Sequence, residues 1–273
     1  MIRKPIRTST RVILGVLCAG HLVVAYSFLS WQAHAENPNN TTVPNASQLI
    51  DGVTEIATPP RSRKDDSLNW EKWELKNDFL ATGRRFLVGL AAGAALSLVV
   101  GVAMGSLTPV GAALGPTILF FGSIPPTAML AVYYRLFGVE ESLYIGLIAL
   151  GVFPLLAGGL YKSVLTDVPD HAISKAYTLG ASHAEVVWNV IVPQTLPRFL
   201  ESLRLAAGLG MIFLIAAEWL LADVGFGHRL KLQNRIADMS QAYPYLFLLG
   251  LFGLAVDRAL LEIRRRAAPW WTE

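Results

Sequence analysis

From Phe86 to Gly105 the chain reads FLVGLAAGAALSLVVGVAMG, twenty consecutive residues without a charge. As a helix such a run rises about 30 Å, the thickness of a bilayer's hydrocarbon core. No water reaches that layer, so each backbone amide and carbonyl must bond within the protein, which a helix achieves by itself. Comparable runs cover Val12 to Ser30, Val110 to Phe137, Leu143 to Tyr161, Leu203 to Ala222 and Tyr245 to about Leu261. The expected fold is therefore an all-α polytopic membrane protein with six transmembrane helices. Charged residues make up only 16% of the 273-residue chain, against about 25% in soluble domains.

Prolines punctuate two of these runs. Pro125 and Pro126 interrupt the third and Pro154 lies inside the fourth. Each removes a backbone donor, so kinked helices facing protein or a wet pathway are expected there. The first run also resembles a signal peptide, with Ala33-His34-Ala35 as a small-residue cleavage site. Its 19 apolar residues exceed the usual h-region of about 7–15, which favours a retained helix.

Basic residues set the orientation. Arg3, Lys4, Arg7 and Arg11 precede the first run, and Arg264, Arg265 and Arg266 follow the last. Beside apolar runs these clusters read as juxtamembrane anchors, not as a nucleic-acid surface. Both termini are then cytoplasmic, with Arg84-Arg85 as the chief contradiction. The organisation divides into residues 1–78 (N-terminus, first span and outer linker), 79–266 (a five-span core with a cytoplasmic loop at 162–202) and 267–273 (a tail). A lone Cys18 excludes an intrachain disulfide framework, and His21, His34 and His228 lack ligand spacing, so no metal site is expected.

The 162–202 loop is unusually structured. Ile173, Ala176, Tyr177, Gly180, Ala184, Val187, Trp188 and Ile191 recur at helical intervals. Asp167 and Pro169 suit a helix start, Gly180 a left-handed helix stop, and Ser182 with Glu185 a capping box that begins a second helix. Pro193 and Pro197 are expected to end that helix before the fifth span. With Lys175 and two histidines as its only flanking cations, such a face suits a protein partner better than a lipid surface.

These residues carry a resemblance. The segment is similar to the cytoplasmic loop of ATP-binding cassette importer permeases, whose pattern is E-A-A-x3-G-x9-I-x-L-P. Aligned on Gly180, Ala176, Val190, Val192 and Pro193 keep the spacing, while Ser174 and Lys175 stand where the family has Glu and Ala. Further likenesses point to the nitrate, sulfonate and taurine branch. They are the Val43–Ser47 segment, Ala81 to Gly89, Ser123-Ile124-Pro125-Pro126, Phe137-Gly138, Ala216-Ala217-Glu218, Gly225-Phe226-Gly227 and Asp257.

The resemblance implies a permease subunit forming the pathway for a small anion in a bacterial inner membrane. Its implied partners are a cytoplasmic ATP-binding subunit, a second permease copy and a periplasmic substrate-binding protein. The chain itself would bind no cofactor, ATP being used by the partner. A phosphate-binding G-x-x-x-x-G-K-[ST] loop is absent, since the chain has no Gly-Lys pair, and neither H-E-x-x-H nor G-x-S-x-G occurs. No catalytic residue is assigned.

The expected docking residues are Ser174, Lys175, Ala176, Tyr177, Gly180, Ala181, Ser182, Glu185, Val190 and Pro193. The expected pathway or gate residues are Pro125, Pro126 and Glu218. Arg204 reads as an interfacial anchor, and Asp257 with Arg258 as an anchor or a pairing site. An autonomous secondary transporter or channel remains the alternative, although repeat symmetry is not evident.

Overall fold

The computed structural model describes residues 7–61 and 68–271. Arg3 and Lys4 of the first basic cluster, residues 62–67 of the linker and residues 272–273 of the tail lie outside the described residues. Apart from one isolated bridge between Arg61 and Leu68, regular structure among the described residues is helical. The long helices are α1 (Thr8–Glu36), α3 (Glu74–Ser106), α6 (Glu141–Asp167), α9 (Val192–Leu221) and α11 (Met239–Ala267). Shorter ones are α2 (Ala46–Ala57), α4 (Thr108–Gly122), α5 (Leu130–Phe137), α7 (Asp170–Thr178), α8 (His183–Val186) and α10 (Phe226–Arg235).

By length and composition four helices are apolar enough to cross a membrane: α1, α3, α6 and the continuous helix from His183 to Leu221. A fifth span results if α4 and α5 count as one broken span. Helix α11 is long enough for the expected sixth span but is not among those apolar enough. The break falls at Pro125-Pro126, where the axis turns by 88° and a 3₁₀ turn, Pro126–Met129, leads into α5. By contrast, α6 runs uninterrupted through Pro154.

Helices α3 and α6 run parallel and form the most extensive contact in the molecule. Gly89, Gly93, Ser97, Gly101 and Gly105, each a multiple of four residues from the next, make the seam on α3. A Cβ on Gly93 would lie 2.6 Å from Val152 Cγ2 and 2.8 Å from the Ala149 carbonyl, and one on Gly105 2.4 Å from Val164 Cβ. Ser97, fully buried, donates to the Gly93 carbonyl at 2.6 Å and to the Phe153 carbonyl of α6 at 3.2 Å. Among lipid tails burial against a neighbour brings little hydrophobic gain, so close backbone approach and dispersion must hold the pair. The glycine-rich second run is thus a packing surface. Helix α9 packs against this pair at Gly210, beside Ile148, Val152 and Phe86.

The remaining elements follow from this unit. Helix α2 starts with an Asn45–Gln48 capping box and lies on the start of α11, where Gly52 abuts the Ser240 carbonyl. Helix α1 touches the rest chiefly through its C-terminal half, where Tyr26 donates to the Pro44 carbonyl and its ring meets Tyr243. The other faces of α1 are apolar and exposed, as lipid-facing surface should be.

The seam makes a testable contrast. Gly93→Ala is expected to destabilise the detergent-solubilised protein by about 1–3 kcal/mol through overpacking. Gly20→Ala, with nothing within 4 Å, should leave the thermal unfolding midpoint unchanged or raise it.

Candidate functional site

The parallel α3–α6 pair has two ends, and each carries a polar construction. At the end where α3 begins, Asp78, Thr82 and Arg85 lie at i, i+4 and i+7 on one helical face, just ahead of the apolar run. Thr82 and Arg85 meet Glu218, three residues from the end of α9 and without exposed surface. Glu218 accepts from Thr82 Oγ1 at 2.9 Å, from Arg85 Nη1 at 2.9 Å and from the Gly227 amide at 3.0 Å. Arg85 also donates through Nη1 to the Val224 carbonyl at 2.7 Å and through Nη2 to Glu141 Oε1 on α6 at 2.6 Å. Its guanidinium stacks 4.1 Å from the Tyr144 ring centroid.

The same cluster caps α10. The Gly225 amide donates to Asp78 Oδ1 at 2.8 Å, the Phe226 amide to Thr82 Oγ1 at 2.9 Å, and the Gly227 amide to Glu218. These amides sit at the start of α10, where helical partners are missing, so residues of α3 and α9 supply what a local cap would. Arg229 of α10 closes the ring, pairing with Asp78 at 3.0 Å and Glu74 at 2.7 Å, and Tyr245 of α11 donates to Asp78 at 3.2 Å. Gly225 adopts φ +125°, and a Cβ there would lie 2.6 Å from the Glu218 carboxyl, so the turn requires glycine.

At the other end, the 162–202 loop folds as two short helices. Asp167 does not open the first of them: it is the last residue of α6, where it accepts from Ser163 and pairs with Arg198 at 2.9 Å. Helix α7 begins at Asp170 with Pro169 as its N-cap. It stops at Gly180 with φ +87°, the Ala181 amide reaching the Ala176 carbonyl at 3.0 Å and the Gly180 amide the Tyr177 carbonyl at 2.9 Å. Ser182 and Glu185 form the capping box, and the bonds from the Ser182 amide and hydroxyl hold the Glu185 carboxyl below its ordinary range.

The expected apolar face divides. Ile173, Ala176, Val187 and Ile191 pack against the bundle, as does Val186, whereas Tyr177, Ala184 and Trp188 are exposed. Leu179, at the tip beside Gly180, is 89% exposed. The prolines do not end the second helix, which continues from His183 through α9 to Leu221 with Pro193 in the first turn of α9 and Pro197 inside it.

The family described as the inner membrane component of binding-protein-dependent transport systems matches residues 93–267. The chain belongs to this family. It is 32% identical to a probable ABC transporter permease protein of Brucella melitensis over 72% of this chain and 80% of that one. It is 29% identical to the taurine transport system permease protein TauC of Escherichia coli over 85% of this chain and 81% of that one. Its fold matches a chain of the inward-facing MetNI methionine ABC transporter with a TM-score of 0.64 at 18% identity, covering 71% of this chain and 96% of that one. The protein is therefore a membrane-spanning ABC importer permease, a pathway subunit and not itself an enzyme.

Within this permease the sequence-designated residues fall into three places. Ser174 to Pro193 occupy one end of the bundle, Glu218 the opposite end, and Pro125-Pro126 the break between α4 and α5, where Pro126 abuts Gly151. Arg204 is not a simple anchor: it pairs with Asp257 of α11 at 2.8 Å and Glu201 at 3.1 Å, and Glu201 in turn with Arg264 at 2.6 Å. Arg85, which contradicts the charge-based orientation, is buried in an ion pair and so does not act as a surface anchor. Asp78, Thr82 and Arg229 were legible only as polar positions. The usable signal was the i, i+4, i+7 spacing on α3, which continues into the glycine seam.

Removing one partner of the buried pair should be severe. Arg85→Met is expected to cost about 3–5 kcal/mol, read as a lower unfolding midpoint in detergent and faster proteolysis between residues 222 and 238. Arg204→Met, at a more exposed pair, should cost about 1 kcal/mol or less.

Proposed function

We propose that this permease carries a small anion, such as nitrate, a sulfonate or taurine, across a bacterial inner membrane in an ATP-driven importer. It does so as one of two identical copies. A periplasmic binding protein delivers the substrate, and a cytoplasmic ATP-binding subunit supplies the force through Ser174 to Pro193. The reading uses six spans with both termini cytoplasmic, α11 serving as the sixth. The observation that carries it is the helix pair joined at Gly180, presenting Tyr177 and Leu179 outward from one end of a permease bundle. Likeness to a taurine permease over most of both chains supports the substrate class.

The geometry suggests how force travels. Helix α8 is continuous with α9, so displacement of the loop moves α9 directly. At the far end of α9 sits Glu218, locked to Arg85 and α10. Glu218 there acts on the outer mouth by positioning α10, not by touching an anion, which its charge would repel. The broken α4–α5 limb at Pro125-Pro126 forms pathway wall between the two copies. Alternating access then requires that the ATP-bound partner hold α7 and α8 differently in the two states.

Affinity purification from detergent tests the docking surface. The wild-type permease should bring down its ATP-binding subunit, whereas Gly180→Pro, incompatible with φ +87°, and Ala176→Glu should lose it. Recovery of the wild type alone, under conditions that keep membrane complexes intact, would overturn the reading.

A further inference from the structure

The structure divides the basic cluster that ends α11. Arg264 is buried against Glu201 of α9 at 2.6 Å, and Arg266 bonds Glu262 at 2.8 Å. Arg258 and Arg265 are exposed and take no part in an ion pair or hydrogen bond among the described residues. Asp257, beside Arg258, is held by Arg204 at 2.8 Å. Arg258 and Arg265 are seven residues apart, close to two helical turns, so these two cations share one face.

The same face carries Phe247, Leu251 and Leu254, at 11, 7 and 4 residues before Arg258, all exposed. Tyr245 and Val256, on the other side of the helix, are buried. The Arg204–Asp257 pair ties this point of α11 to the foot of the apolar run of α9, which begins at Leu203. Arg258 therefore stands where hydrocarbon gives way to headgroups, and Arg265 about 10 Å farther along the axis. Helical side chains lean toward the helix N-terminus, so Arg265 reaches back toward the bilayer. Glu262, at the edge of this face, is neutralised by Arg266, which leaves the two guanidiniums without counter-charge. An unpaired cation at that depth is costly unless an anion meets it.

Taking α11 as the sixth span with a cytoplasmic end, as the proposed function does, we infer that Arg258 and Arg265 bind the phosphodiester of one anionic phospholipid of the inner leaflet. Its acyl chains lie along Leu254, Leu251 and Phe247. The order of the stripe, apolar then cationic, is the order in which a phospholipid presents tail and phosphate. A zwitterionic headgroup carries its own ammonium and leaves the second arginine unmatched. A second copy of the chain applying the same face would add two arginines and supply no anion, burying like charges together. Just past the arginines, a turn closed by the Trp271 amide on the Ala268 carbonyl at 3.1 Å leaves Trp270 and Trp271 exposed. Indoles favour the same headgroup level.

The full-length permease, delipidated in detergent, is titrated with phosphatidylglycerol or phosphatidylcholine, and bound lipid is counted by native mass spectrometry. The wild type should prefer phosphatidylglycerol by about 10-fold or more. Arg258→Gln with Arg265→Gln should weaken that binding about 30-fold, whereas Arg258→Lys with Arg265→Lys, which keeps both charges, should retain most of it. Arg7→Gln with Arg11→Gln removes the same charge at the other basic cluster and should change nothing. Equal binding of the two lipids, unchanged affinity in the glutamine pair, or an equal loss in the Arg7 and Arg11 pair would each overturn the site. In a Cys18→Ser background, disulfide cross-linking of Leu254→Cys between copies in the membrane would give this face to a second permease and overturn it as well. A membrane-impermeant maleimide should label Ala267→Cys from the cytoplasmic side. Labelling only from the periplasmic side would overturn the six-span reading and with it the inner-leaflet assignment. Cytoplasmic labelling with a failed lipid titration would overturn the lipid site alone.

Discussion

Glu218 is a carboxylate with no surface left to solvent or lipid, and the arrangement of five helices follows from how it is satisfied. An ion in that environment costs several kcal/mol unless paired and fully hydrogen-bonded. Its partners come from α3 and α10, and Arg85 links it onward to Glu141 of α6. Asp78 extends the ring to α10 and α11 through Arg229 and Tyr245. None of these contacts is complete unless the others are in place, which makes this end of the molecule assemble as a unit.

The same face of α3 that supplies Asp78, Thr82 and Arg85 continues as the glycine and serine seam against α6. Polar side chains fix the register at one end, and close backbone approach carries it to the other. At Gly105 the seam reaches the floor beneath α7 and α8, where a cleft of about 200 Å³ is lined by Ser106, Tyr177, His183 and Val186. Helices α3, α6 and α9 therefore form a stiff body joining two ends of different character. Such a body moves as a rigid element between states and does not absorb displacement by bending. In the proposed importer this is what lets a push on the loop be felt at the opposite face.

Much of this was legible in the sequence because the membrane imposes lengths. Apolar runs located the long helices, although each helix outlasts its run by several residues. Those extra turns carry Asp78, Arg85, Glu141 and Glu201, ion-pair members that hydropathy alone passes over. Gly180 and the Ser182–Glu185 box were readable because their chemistry is local. Prolines misled in one direction only. Pro125 and Pro126 break the chain as expected, but Pro193 and Pro197 do not, because a π turn at Val187–Ile191 accommodates the first without interrupting the axis. Arg85 was misread because its partner lies 133 residues away in sequence, beyond the reach of any local pattern.

The central claim is that this chain is a pathway driven by a separate ATPase, not a self-sufficient transporter. Reconstitution into proteoliposomes with radiolabelled taurine tests it most directly, comparing the permease alone with the permease plus its ATP-binding subunit, its binding protein and ATP. The account predicts accumulation only in the complete system, abolished when a non-hydrolysable nucleotide replaces ATP. Accumulation by the purified chain alone, driven by an ion gradient, would contradict it.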